Sequence, residues 1–262
     1  MDGDDAVFTH PITVRWGDTG LRGRLKPAAW LDFCMEAADA HARGFGFAMD
    51  DVARRGFHWV MLRYRLEFSG TAHARDELVV ETWARGVSRL FARRDYRFRR
   101  ADGTLLGRGT TAWLLVRQEN FRPVRPETHL ETFPMRTEVA YLEDTTAMTE
   151  ADLAGGWTQT HRVERDEIDL LGHVSNPHYI RWAVEALPED VWKQGRLAAL
   201  DIDFLAMAFH GDAIEVRTAE RPAHGEERVF DHELRRPGEV KVLTRLRTRW
   251  IVGEPETEVF GA

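Results

Sequence analysis

A strand, a helix and an antiparallel meander in that order form an α+β pattern, and this sequence carries it twice. Three observations support the prediction. An amphipathic helix follows the first strand, alternating apolar and polar runs follow that helix, and both return in the same order in the second half. The 262-residue chain is 43% hydrophobic and 30% charged, which supplies enough apolar residues for a substantial core.

Residues 8–16 alternate as a strand, and residues 17–24 are rich in turn formers. Pro27 opens a helix whose Trp30, Phe33, Cys34, Ala37 and Ala38 follow the i, i+3, i+4, i+7, i+8 spacing of one apolar face. Gly44 and Gly46 end it. Strand-like runs follow at 59–68, 77–84, 90–100 and 105–116, with Ala101-Asp102-Gly103 as the turn between the last two.

Residues 118–156 carry Pro123, Pro126 and Pro134, many charges and little periodicity, and read as a linker with some local structure. The pattern then restarts with a strand at 157–165, a helix from Asn176 to about Leu187, and strands at 199–207, 213–218, 228–235 and 240–251. The domain boundaries drawn from this reading are 1–126, a linker at 127–156, and 157–262.

The repeat holds residue by residue. An offset of 149 carries Trp30, Phe33, Cys34, Ala37 and Ala38 onto Tyr179, Trp182, Ala183, Ala186 and Leu187. An offset of 136 carries Leu66, Phe68, Leu78, Val80 and Thr82 onto Ile202, Phe204, Ile214, Val216 and Thr218. Helix face, strand phase and loop position are kept together, so an internal duplication is the economical explanation.

The two copies differ where chemistry would sit. In the second, Asp169 and the turn residue Gly172 precede Asn176, read as an N-cap, and Pro177, read as the first helical residue. An acid therefore faces a helix end whose unpaired N–H groups and partial positive charge suit an oxyanion. In the first copy Gly20 replaces Asp169 and Arg24 replaces His173, so only one of two related clefts keeps the acid.

The run Asp169-x-x-Gly172-His173-Val174-x-Asn176-x-x-Tyr179-x-x-Trp182 resembles the signature of hotdog-fold thioesterases of the 4-hydroxybenzoyl-CoA thioesterase type. Two such halves in tandem resemble the acyl-ACP thioesterases. Further similarity lies in Glu36-Ala-Ala, Ala40-His41-Ala, Trp59-Val60, Glu81-Thr82-Trp83, Phe91-Ala-Arg-Arg-Asp95, Ala112-Trp113 and Arg122-Pro-Val-Arg-Pro126, and the resemblance spans roughly residues 13–252. It implies an α+β fold of two tandem hotdog domains, each a central helix wrapped by an antiparallel sheet. The first would be the acyl-pocket half and the second would carry the catalytic aspartate.

The activity so implied is hydrolysis of a fatty acyl-ACP thioester to free acid and holo-ACP. Asp169 would be general base or nucleophile, the backbone N–H near Asn176 the oxyanion donor, and His173 either an orienting group or a structural turn residue. Two positions depart from the family pattern. Leu171 stands where an asparagine is usual, and Met207 falls where the family has a strand glutamate; both groups are implicated there in positioning the hydrolytic water.

Other classes are weighed against this one. An acyl-CoA thioesterase would use the same machinery, a hotdog dehydratase lacks a partnered His and acid across the halves, and a non-catalytic acyl-binding protein fits the loss of the two polar groups. Asp169, His173 and His178 lack a recognised metal spacing, so neither metal nor cofactor is expected. The net charge of -7 argues against general nucleic-acid binding. Arginines crowd residues 91–100 and 235–249, where alternation favours the solvated face of a strand over a docking face for the acidic carrier. No apolar run approaches a membrane span, the acidic opening at 1–5 lacks the regions of a signal peptide, and the lone Cys34 fits a reducing compartment, so the cytoplasm is expected. Self-association as a homodimer is left open.

Overall fold

The computed structural model describes residues 6–129 and 132–253; the acidic opening at 1–5 lies outside them. The chain runs β1 (Phe8–Thr13), α1 (Pro27–Arg43), α2 (Met49–Arg54), β2 (Phe57–Phe68), β3 (Glu77–Ser88), β4 (Phe91–Arg100), β5 (Leu105–Arg117) and β6 (Pro123–Val124). It continues as β7 (Trp157–Arg162), α3 (Asn176–Glu185), α4 (Glu189–Gln194), β8 (Arg196–Phe204), β9 (Ala213–Arg221), β10 (Glu227–Arg235) and β11 (Val242–Ile251). Every expected strand and both long helices are present. The short helices α2 and α4 were not anticipated, since six residues are too few for a helical period to declare itself. Among the described residues no helix is long and apolar enough to cross a membrane.

Two compact units emerge, residues 6–15 with 32–146 and residues 16–31 with 147–253. Residues 132–146, placed in a linker by sequence, pack with the first unit. There Asp95 accepts the N–H of Ala140 at 2.7 Å, and Trp83 donates to Glu138 O at 2.9 Å. In the first unit the strands follow the order β1-β3-β4-β5-β2, with β6 added to the end of β5. In the second the order is β7-β9-β10-β11-β8, and the pairing within both sets is antiparallel.

The duplication extends to register. Val80 pairs with Phe98 and Thr82 with Tyr96 in the first unit; Val216 pairs with Leu234 and Thr218 with His232 in the second, each displaced by the same 136 residues. A one-residue slip would turn every inward side chain outward, so this agreement fixes both sheets on the same face. The helices agree too. Trp30, Phe33, Cys34, Ala37 and Ala38 on α1 are buried, as are Tyr179, Trp182, Ala183, Ala186 and Leu187 on or just beyond α3. Burying each large apolar side chain of these faces contributes about 1.5–3 kcal/mol.

Close packing of β5 on β2 depends on Gly109, where a Cβ would come within 2.2 Å of Leu66 Cδ2 and 3.2 Å of Arg65 O. Leu66 is fully buried and has no room to withdraw. Gly109→Ala is therefore expected to destabilise the protein by about 1–3 kcal/mol, the usual cost of overpacking. A chemical denaturation midpoint equal to that of the parent would contradict it.

Candidate active site

The residues singled out in the second copy sit on a tight hairpin leading into α3. A single 3-10 turn at Arg165–Glu167 precedes an antiparallel bridge between Ile168 and Val174. Across it the Asp169 N–H donates to His173 O at 2.8 Å and the Gly172 N–H to Asp169 O at 3.0 Å. Gly172 has φ +81°, a left-handed conformation that glycine adopts without steric cost. The Asp169 carboxylate folds back over this turn. Oδ1 accepts the N–H of Leu171 at 2.8 Å and lies 3.5 Å from that of His173, while Oδ2 lies 3.3 Å from His173 Nδ1. The side chain is still 27% exposed, which leaves it accessible to water.

The first copy repeats this hairpin without the acid. Thr19 bridges Leu25, the Gly20 N–H donates to Arg24 O at 2.8 Å, and the Gly23 N–H donates to Gly20 O at 3.1 Å. Gly23 has φ +69°. The backbone bonds are those of the Asp169 turn shifted by 149 residues, so the scaffold outlived the carboxylate. Arg24, in the place of His173, donates instead to Gln194 O and Gly195 O at 3.2 and 2.7 Å.

The helix start differs from the sequence expectation by one residue. Ser175, not Asn176, occupies the cap position, with extended backbone angles and no side-chain cap bond; Asn176 is the first helical residue and Pro177 the second. Proline is compatible with either place in the first turn, because neither N–H has an intrahelical acceptor. The Ser175 N–H donates to Glu167 O at 2.9 Å and the His178 N–H to Ser175 O at 3.1 Å. The N–H of Asn176 has no acceptor among the described residues, and Pro177 offers none to compete with it. Of the three selected residues, Asp169 and His173 are therefore in contact, and Asn176 contributes a free backbone donor rather than a cap.

A second acidic group beside this turn escaped the sequence reading. Glu167 is buried, and its carboxylate accepts the N–H of Glu164 at 2.8 Å and Trp182 Nε1–H at 2.8 Å, with His161 Nε2 at 2.9 Å and His178 Nδ1 at 3.5 Å. Burial disfavours its charge, but the hydrogen bonds from His161, Glu164 and Trp182 outweigh burial and hold the carboxyl below the usual range. Glu167 thus clamps β7 and α3 to the hairpin. His178 turns toward it rather than joining Asp169 and His173. The one sequence clue was Trp182, an indole on a buried face that needs an acceptor.

Position 207 lies on the loop beside this hairpin. The Val174 N–H donates to Ala208 O at 2.9 Å, the Ala208 N–H to the Tyr179 hydroxyl at 3.0 Å, and Arg236 to Met207 O at 3.0 Å. The backbone is held there, but the side chain is a thioether. At the other departure Leu171 contributes only its N–H to Asp169.

The first unit contains a largely apolar pocket, partly open to solvent, between α1, α2 and the inner faces of β2 to β5. Ala38, Phe47, Trp59, Trp113 and Phe133 wall it, and Arg94 is its buried cation. Arg94 Nη1 lies 2.9 Å from His41 Nδ1 and 3.2 Å from Thr82 Oγ1. Burial, assisted by the Arg94 charge, pushes His41 down to about 3. The imidazole is therefore neutral, and since arginine can only donate, Nδ1 accepts and the proton sits on Nε2.

Family models for the acyl-ACP thioesterase N-terminal domain and the acyl-ACP thioesterase C-terminal domain match residues 5–130 and 151–252. The chain is 24% identical to the oleoyl-acyl carrier protein thioesterase of Coriandrum sativum, over 94% of this chain and 77% of that protein. It is likewise 24% identical to oleoyl-acyl carrier protein thioesterase 2 of Arabidopsis thaliana, over 84% of this chain and 65% of that protein. Among solved structures, the 12:0-ACP thioesterase from Umbellularia californica matches with TM-score 0.83 and 20% identity, over 96% of this chain and 98% of that one. An acyl-ACP thioesterase from Bacteroides thetaiotaomicron matches with TM-score 0.83 and 20% identity, over 95% and 100%. At such identities the structural matches speak for fold.

Proposed function

Since this chain belongs to the acyl-ACP thioesterase family, we propose that it hydrolyses acyl-ACP at Asp169 and that each of its two units is a hotdog domain. The repeated register, with one long helix beside each antiparallel sheet, supports the tandem reading. The observation that carries the site is the asymmetry of the two hairpins. Identical backbone bonds persist in both, and a solvent-accessible carboxylate is kept only on the hairpin that leads into α3, whose first N–H has no acceptor among the described residues.

In this mechanism Asp169 takes a proton from water as the water oxygen attacks the thioester carbonyl carbon. The carbonyl oxygen becomes an oxyanion and accepts the Asn176 N–H; one such donor typically lowers the barrier by about 3–4 kcal/mol. Collapse breaks the C–S bond, and the proton held by Asp169 passes to the departing sulfur, giving a carboxylic acid and the carrier thiol. His173, against Oδ2, orients the carboxylate. Because a thioester is a better electrophile than an amide, a serine-type triad is not required. Comparison of steady-state hydrolysis of acyl-ACP with that of the same acyl group on coenzyme A tests the reading, and a preference for the coenzyme A ester would overturn it.

The cavity of the first unit takes the acyl chain, its apolar walls matching a hydrocarbon. Ala38 faces it from α1, where leucine costs the helix little. Ala38→Leu is expected to shift the preferred acyl chain to shorter lengths, with kcat/KM of the longer chains falling about fourfold for each methylene displaced, from about 0.8 kcal/mol per CH₂. A series of acyl-ACPs of increasing length reads this out; an unchanged length profile would place the chain elsewhere.

A further inference from the structure

The two arginine-rich runs, read from the sequence as solvated strand faces rather than docking faces, are neutralised within the fold. On β4, Arg93 pairs with Asp144, Arg97 with Glu81 and Glu138, Arg99 with Glu81 and Arg100 with Asp76, while Arg94 is buried. In the second run Arg235, Arg236, Arg245, Arg247 and Arg249 pair with Glu215, Asp212, Glu233, Asp231 and Glu227. Arginines without a carboxylate partner among the described residues gather instead on a hairpin of the first unit that contains the Arg122-Pro-Val-Arg-Pro126 block.

That hairpin joins β5 to β6. The Arg117 N–H donates to Arg122 O, the Phe121 N–H to Arg117 O, and Leu115 and Val116 pair with Val124 and Pro123. Arg117, Arg122 and Arg125 are exposed and have no carboxylate partner among the described residues. Phe121 sits at the tip with φ +54° and is 40% exposed. Gln118 fastens the hairpin to the end of α2, donating from its N–H to Gly56 O at 2.9 Å and from Nε2 to Ala53 O at 3.0 Å. At that end Arg55, exposed and likewise without a carboxylate, stacks over Phe47 at 4.7 Å, and Phe47 is a wall of the cavity. Four arginines without a carboxylate partner among the described residues thus share this surface with the exposed Phe121 ring, together with Glu119 on the hairpin and Glu127 just beyond it. The chain as a whole carries a net charge of -7.

We propose that this surface, formed by the β5–β6 hairpin and the end of α2, docks the acyl carrier protein through an acidic face of the carrier. The inference rests on the carrier being the substrate, as argued above. Unpaired exposed arginines attract an acidic partner without first breaking internal ion pairs, and a solvent-facing aromatic supplies an anchor of the kind found at interface centres. The elements that carry the arginines also wall the cavity, so a carrier held here presents its cargo beside that cavity.

The test separates docking from chemistry. Arg117→Glu/Arg122→Glu is expected to lower kcat/KM on acyl-ACP about tenfold, mainly through KM, and to flatten its salt dependence, as removal of rim charges does. Hydrolysis of the same acyl group on free pantetheine should match the parent, and Lys193→Glu on α4 should leave both activities unchanged. Equal losses on both substrates, or no loss on either, overturn the docking surface. So would capture of the parent by anionic phospholipid vesicles with acyl-ACP turnover indifferent to the substitutions. Failure of the parent to hydrolyse acyl-ACP, with acyl-pantetheine still cleaved, would instead overturn the assigned substrate and the docking surface with it.

Discussion

Asp169→Asn is expected to reduce kcat on acyl-ACP by roughly 10²–10⁴-fold, the range that a positioned general base contributes. Asparagine is the informative replacement because it keeps the shape of the turn. Its side-chain oxygen still accepts the Leu171 N–H, now at 2.8 Å from Oδ1, so the hairpin and the approach to α3 should persist. What is lost is the capacity to take a proton from water. Thermal stability near that of the parent together with the fall in kcat would assign the effect to chemistry; KM should move little, since no contact to the acyl chain is changed. Activity within a factor of three of the parent would remove Asp169 from the mechanism. His173→Gln should have a smaller effect, because the backbone N–H and C=O of residue 173, which close the turn, are kept and only the side-chain contact to Oδ2 is weakened. The two departures sharpen this prediction. With leucine at 171 and methionine at 207, neither side chain can share proton transfer with Asp169.

Much of this arrangement was legible because its signals are local. A helix face declares itself by its 3.6-residue period and a strand by its two-residue period, so Trp30 to Ala38 and Tyr179 to Leu187 could be assigned to buried faces from spacing alone. The turn at Asp169 was legible for the same reason, with Gly172 four residues before Asn176. Non-local partnerships were not. Glu167 becomes a buried hub only when His161 on β7 and Trp182 on α3 are brought to it from six and fifteen residues away. The arginines of β4 looked like a free basic stripe because their carboxylate partners, such as Asp144 and Glu138, lie in the segment that read as a linker. The cap was misplaced by one residue because Asn176-Pro177 satisfies the rules for two adjacent registers, and the difference rests on the Ser175 backbone.

Acid should unfold this protein earlier than its carboxylates alone would dictate, and two neutral histidines are the reason. His41 sits on α1 between the rings of Phe8 and Phe133 with Arg94 against Nδ1. His232 sits on β10, fully buried between the hydroxyls of Thr218 and Thr248 at 2.9 and 3.1 Å. Burial pushes both down to about 3; the Arg94 charge pushes His41 further down, while Asp231 opposes the shift at His232. In the unfolded chain each returns to about 6.5. Between these values the unfolded state binds protons that the native state refuses, so stability is complete above pH 6.5 and falls as the pH drops toward 3. Each pH unit within that window costs about 1.4 kcal/mol per histidine. From pH 6.5 to about 5 most carboxylates stay ionised, so the slope there belongs mainly to these two groups, with a further part from His178, which burial and the Arg181 charge also push down. Urea denaturation across that interval should show stability falling by about 3 kcal/mol per unit if both report on one cooperative transition, or half that within each unit if the two unfold separately. His232→Gln, which has no titrating group, should remove about 1.4 kcal/mol per pH unit from the slope whatever it costs at pH 7. An unchanged slope in that variant would mean that His232 is protonated in the folded protein, which would require Thr218 and Thr248 each to turn an oxygen lone pair toward its own ring nitrogen.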